Sequence, residues 1–70
     1  MLEQLEKGDW IESENHIYEI ASNEWSFLYA REVEYMSESP KLRYGKPIRL
    51  SKCELAVKGF EIIKKEISND

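Results

Sequence analysis

Cysteine occurs once, at Cys53, in a chain of 70 residues. One thiol closes no disulfide within the chain, and small secreted domains usually need several. The expected setting is therefore the reducing cytoplasm. Histidine also occurs once, at His16. Without a Cys-x-x-Cys or His-x-x-x-His spacing, a metal site would need carboxylates for its remaining ligands, and none is expected. The two prolines and three glycines are few and scattered. Isolated glycines at turns make no phosphate-cradling loop, and there is no low-complexity tract, linker or internal repeat. Apolar runs stop at three or four residues, as in Phe27-Leu28-Tyr29-Ala30, far short of the roughly 20 that span a bilayer. The first six residues have neither a basic stretch nor an apolar one, so no signal peptide and no membrane partner are expected.

What is present is the mixture of a globular chain: 41% hydrophobic and 34% charged residues. A chain this short buries only about 60% of its unfolded surface. One small domain, residues 1–70, is expected, with a marginal core and no room for two layers around a parallel sheet. Net charge is −4, and it is unevenly spread. Residues 1–40 carry ten acidic residues against Lys7 and Arg31. Residues 41–70 carry eight basic residues against Glu54, Glu61, Glu66 and Asp70. Such asymmetry can mark a polyanion-binding face. The simpler expectation is that neighbouring strands interleave the two halves.

Along the chain, Leu2 and Leu5 are spaced for one helical turn, and Lys7-Gly8-Asp9 is a turn signal. Trp10-Ile11 opens a short strand, and Glu12 to Asn15 reads as a hairpin loop. His16, Tyr18 and Ile20 alternate with Ile17, Glu19 and Ala21. After the turn at Ser22-Asn23-Glu24, Trp25 to Met36 is the longest β-rich run and is expected to be central and bent. Its second half sets Arg31, Val33 and Tyr35 opposite Glu32 and Glu34. Ser37 to Lys41 reads as a loop, Leu42 to Tyr44 and Lys46 to Leu50 as short strands. Pro47 confines the latter to an edge or makes it a strand start. Ser51 and Glu54 fit a capping box, and Gly59 fits the left-handed position after a helix end, with Leu55 and Phe60 in contact. A helix from Lys52 to Lys58 follows. Phe60 to Ile63 reads as a last strand, and residues 64–70 as a frayed tail. These turn spacings predict a mainly β domain: a small SH3-like antiparallel barrel or curved sheet with one short C-terminal helix.

Two stretches, Lys7-Gly8-Asp9-Trp10-Ile11 and Lys46-Pro47-Ile48-Arg49-Leu50-Ser51 with Glu54-Leu55 and Lys58-Gly59-Phe60-Glu61, carry a resemblance. Together they resemble small uncharacterised proteins from phages and integrated mobile elements of Bacteroides-like bacteria. The resemblance covers about half the chain and consists of turns, a strand and a capped helix. Arg49 stands where those proteins often have a second proline. The resemblance implies a β fold and a mobile-element origin, and it assigns no activity or site.

No catalytic constellation is visible. Cys53 would sit in a helix first turn, where the dipole lowers thiol pKa. A nucleophile also needs a base and oxyanion donors, so Cys53 reads as a half-buried helix residue. Glu32 and Glu34 read as a solvated strand face. No enzyme activity and no cofactor are expected. Trp10, Phe27 and Phe60 are assigned to the core. The candidate binding surface is Trp25 together with Lys41, Arg43, Tyr44, Lys46, Arg49 and Lys52, an aromatic-and-basic mixture suited to stacking and anion pairing. Arg43 and Arg49 share strand parity and are expected on one side. Two functions compete. One is a non-enzymatic module that binds a host or self protein, with the acidic N-terminal half facing a basic partner. The other is a nucleic-acid-binding barrel using residues 41–52. Net charge −4 favours the first, because phosphate affinity rests on basic surface.

Overall fold

The computed structural model describes residues 2–35 and 42–64. The expected loop at Ser37–Lys41 lies outside these residues, as do residues 65–70 of the expected 64–70 tail, whereas Lys64 belongs to the last strand. A 3-10 turn, Leu2–Gln4, opens the described chain, closed by the Leu5 amide on the Leu2 carbonyl at 3.2 Å. The Lys7-Gly8-Asp9 turn is then clamped to the sheet. Gly8 sits at φ 96°, where a Cβ is disfavoured, and its N–H donates to Ile20. Asp9 is fully buried. Its carboxylate accepts from the Glu6 amide at 2.9 Å, and its carbonyl accepts from the Ile20 amide at 2.8 Å.

Six strands follow: β1 (Trp10–Ser13), β2 (His16–Asn23), β3 (Phe27–Tyr35), β4 (Leu42–Tyr44), β5 (Ile48–Ser51) and β6 (Glu61–Lys64). One helix, α1 (Lys52–Lys58), lies between β5 and β6. All pairings are antiparallel, in the order β4-β3-β2-β1-β6, with β5 also on β3. β3 is central, as expected, and its free side is shared end to end. Residues 27–30 pair with β5 and residues 33–35 with β4. The expected barrel does not close: β6 meets only β1, and no described strand joins β6 to the β4–β5 edge. The chain leaves β5 directly for α1, which covers the sheet with Leu55 rather than extending it.

The turns follow from local chemistry. β1 and β2 are joined by Glu14 and Asn15 alone, both at positive φ (52° and 68°), the pattern of a type I′ hairpin. β2 and β3 are joined through Trp25-Ser26, with the Glu24 amide on the Phe27 carbonyl at 2.9 Å. The expected strand start at Trp25 therefore moves to Phe27. β5 starts at Ile48, just past Pro47, which has no N–H to give a ladder.

Leu5, Ile11, Ile20, Leu28, Ala30 and Leu55 form the core, with Leu2, Tyr18, Leu50, Phe60 and Ile62 packed around it. Register explains the membership. Ile11 faces Tyr18, Ile20 faces Ala30, and Leu28 faces Leu50, all on one side of the sheet. Trp10 stands opposite Glu19 and Phe27 opposite Ser51, on the other side. Trp10 is buried there and its indole N–H donates to Glu19 at 3.0 Å. Phe27 is only half-buried. The assignment of Trp10 to the buried core holds, on the face opposite the main cluster; that of Phe27 is corrected, and Phe60 packs at the margin of the cluster. Val33, also buried, has the parity of Phe27, so β3 buries residues on both faces.

Candidate functional site

The expected binding residues divide into three places. Lys41 lies outside the described residues. Trp25 and Lys52 meet at one open groove, whose other walls are Glu3, Leu5, Asn23 and Glu24. Trp25 is 96% exposed, although its turn is firmly held. The Lys52 amide donates to the Ser26 carbonyl at 3.1 Å, and the Asn23 side-chain amide donates to the carbonyls of Leu2 and Leu5 at 2.9 and 3.0 Å.

Arg43, Tyr44, Lys46 and Arg49 are exposed, and the register separates them. Arg43 stands opposite Glu34, whereas Tyr44 stands opposite Val33 and Arg49 opposite Tyr29. Cross-strand partners share a face, and neighbours in a strand alternate. Arg43 therefore projects from one side of β3, and Tyr44 and Arg49 from the other. The shared parity of Arg43 and Arg49 does not survive the Gly45-Lys46-Pro47 link, because each side of that link pairs independently with β3. The opposition of Glu34 to Arg43, and of Glu19 to Arg31, interleaves the acidic and basic halves of the chain.

Arg49 is not an isolated cation. Its guanidinium lies over the Phe27 ring, 4.4 Å from the centroid, and 5.7 Å from that of Tyr29. The two rings pack edge-to-face at 5.2 Å. This arrangement brings in Phe27 and Tyr29, which the sequence reading had not placed in the site. Their alternation with Arg31 and Val33 along β3 was the available signal. Arg31 and Arg49 form no ion pair with any described residue, in contrast to Lys58.

A smaller cleft of about 130 Å³ opens between the β1–β2 hairpin and α1, lined by Ser13, Glu14, Tyr18, Ser51, Glu54 and Lys58 among others. Lys58 reaches Glu14 at 3.3 Å and Glu54 at 3.6 Å. The hydrogen bond and charge of Glu14, then the charge of Glu54, raise the Lys58 ammonium pKa. Burial first, then the Glu32 and Glu14 charges, push the Tyr18 phenol up. His16 pairs through Nδ1 with Glu32 at 2.7 Å. Within this cleft Lys58 is paired with Glu14 and Glu54, whereas Arg49, which also lines it, has no ion-pair partner among the described residues. Cys53 is exposed rather than half-buried. Among the described residues no three His, Cys, Asp or Glu side chains gather as a metal site would need. No helix among them is long and apolar enough to cross a membrane.

The chain matches no protein-family model, no curated protein and no solved structure.

Proposed function

We propose that this chain is a non-enzymatic, cytoplasmic interaction module that docks a host or self protein through Trp25. One observation carries the reading: an almost fully exposed indole on a turn fixed by backbone hydrogen bonds on both sides. Tryptophan anchors dominate protein interfaces, and removing one commonly costs 2 kcal/mol or more. A turn whose backbone is already held adds little backbone ordering cost on binding. Glu3, Glu24 and Lys52 around it form a charged rim, suited to a partner with an apolar pocket and a mixed-charge surround. Kinship with SH3-like modules is part of the proposal. It is supported by the short helix placed just before β6, which returns to β1. The phage or mobile-element origin is a proposal too, supported by the Lys7–Ile11 and Lys46–Glu61 stretches. Affinity capture from host lysate with wild type and Trp25→Ala tests the docking role. Species retained by wild type and by Arg43→Ala, but lost from Trp25→Ala, are expected. An unchanged captured set with Trp25→Ala would sink the proposal.

A second reading, nucleic-acid binding, is favoured by a different observation: Arg31 and Arg49 are unpaired among the described residues and share a face with three partly exposed aromatics. The described basic and aromatic residues Arg43, Tyr44 and Arg49 are split between two faces.

A further inference from the structure

We infer that the β3–β5 side of the sheet face opposite the core is a stacking platform for single-stranded nucleic acid. The inference rests on the second reading and moves its site. Phe27, Tyr29 and Arg31 have one parity along β3. Arg49 across from Tyr29 and Tyr44 across from Val33 join the same face. None of the five belongs to the core cluster. Phe27 and Tyr29 are half-buried, and Tyr44 is 41% exposed. Their rings are set in the sheet with two guanidiniums beside them: Arg49, and Arg31 across from Glu19, neither in an ion pair among the described residues.

The occupant follows from that chemistry. Arginines without ion pairs call for an anion, and the rest of the exposed charge on this protein is largely acidic. An anion alone would leave the rings unused. Flat rings alternating with guanidiniums suit a chain that alternates flat bases with phosphates. Bases are available for such stacking only when the strand is single, because in a duplex they already stack on one another. Arg49 serves both purposes: its plane lies over Phe27 and its N–H groups remain for a phosphate. Val33 is a buried floor between Arg31 and Tyr44. On the β1–β2 side the face turns acidic at Glu12 and Glu19, which bounds the platform and directs the strand along β3 and β5.

The test is fluorescence anisotropy of a labelled oligothymidylate of about twelve nucleotides, within the range of single-strand site sizes. It is run at about 0.01 M salt, where the Debye length is about 30 Å. Wild type is expected to bind. Arg49→Ala and Tyr44→Ala should each weaken binding roughly 5- to 150-fold, the range of one lost stacking contact. Arg43→Ala removes the same charge as Arg49→Ala but from the opposite face, and should change binding less than about twofold. Two phosphate contacts predict a log–log salt slope near −1.4. Arg31→Ala provides a second variant away from the Phe27 stack, and melting curves check that each variant folds. Equal losses in Arg43→Ala and Arg49→Ala would return the site to the linear segment and overturn this placement. Displacement of the oligonucleotide by polyglutamate at matched charge would make the ligand an acidic protein and overturn it as well. No binding by wild type would remove the nucleic-acid reading altogether.

Discussion

Glu14 occupies a backbone position that suits few residues. At φ 52° it opens a two-residue hairpin turn, and left-handed geometry costs a residue with an ordinary side chain about 1–2 kcal/mol. Asparagine tolerates that geometry, as Asn15 does beside it at φ 68°. Glu14 is compensated in part by Lys58 at 3.3 Å, but exposed ion pairs contribute little. Glu14→Asn is therefore expected to raise stability by up to about 1 kcal/mol, or about 4–8 °C in melting temperature for a domain of this size. A lowered melting temperature would show that the Lys58 contact outweighs the backbone. Tyr18, on the same cleft, has a raised pKa. A raised folded-state pKa means that the native protein holds the proton more tightly than the unfolded chain. The stability it contributes is complete below the ordinary phenol pKa of about 10 and is lost as pH rises through the higher folded value. Lys58 is shifted in the same direction. Absorbance titration of tyrosinate should show a late-ionising phenol that disappears in Tyr18→Phe. If the titration is unchanged by that substitution, the late group is another tyrosine.

At the scale of elements, α1 was the most legible part of the sequence, because its determinants are local. Ser51 accepts from the Glu54 amide at 3.3 Å, and the helix runs from Lys52 to Lys58 as the cap spacing requires. Its end differs in one respect. Gly59 sits at φ 92°, ψ 151° rather than in the left-handed helical region, and its N–H closes on the Leu55 carbonyl at 2.8 Å. Few residues other than glycine adopt that geometry. Gly59→Val is expected to cost about 1–3 kcal/mol, even though a Cβ there would meet no atom within 4 Å. Leu55→Ala should cost about 2–5 kcal/mol from a site 5% exposed. Val57→Ser, at 86% exposure, should change little; equal effects in chemical denaturation would mean that α1 packs by another face. The candidate site was less legible because it depends on non-local register. Parity along residues 41–52 is meaningful only within one continuous strand. Gly45-Lys46-Pro47 divides that stretch into two strands that pair with different halves of β3. Phe27 was misassigned for a related reason: hydrophobicity marks it as buried, but only its pairing with Ser51 reveals on which face.

At the scale of the whole molecule, one edge of the open sheet is built by pairing of sequence-distant strands. Among the described strands β6 pairs with β1 alone, setting Ile62 opposite Ile11, and Ile62 packs against the core. Replacing Ile62 with glutamate should free β6 and leave β1 as an open edge that invites further pairing. Concentration-dependent self-association by sedimentation is the expected readout, and a variant that stays monomeric and folded would show that the β1–β6 pair contributes little. The same pairing has a consequence in time. During synthesis β1 emerges before its outer neighbour β6, with β2 to β5 and α1 between them. Until β6 follows, β1 is paired on its β2 side alone, and its other side is an open edge of the kind that invites pairing with another chain. Long-range pairing of this kind is also slow to form. The nascent chain is therefore at its most adhesive before β6 emerges, and the first strand to reach β1, whether its own β6 or a neighbour's, determines whether one molecule folds or two become joined.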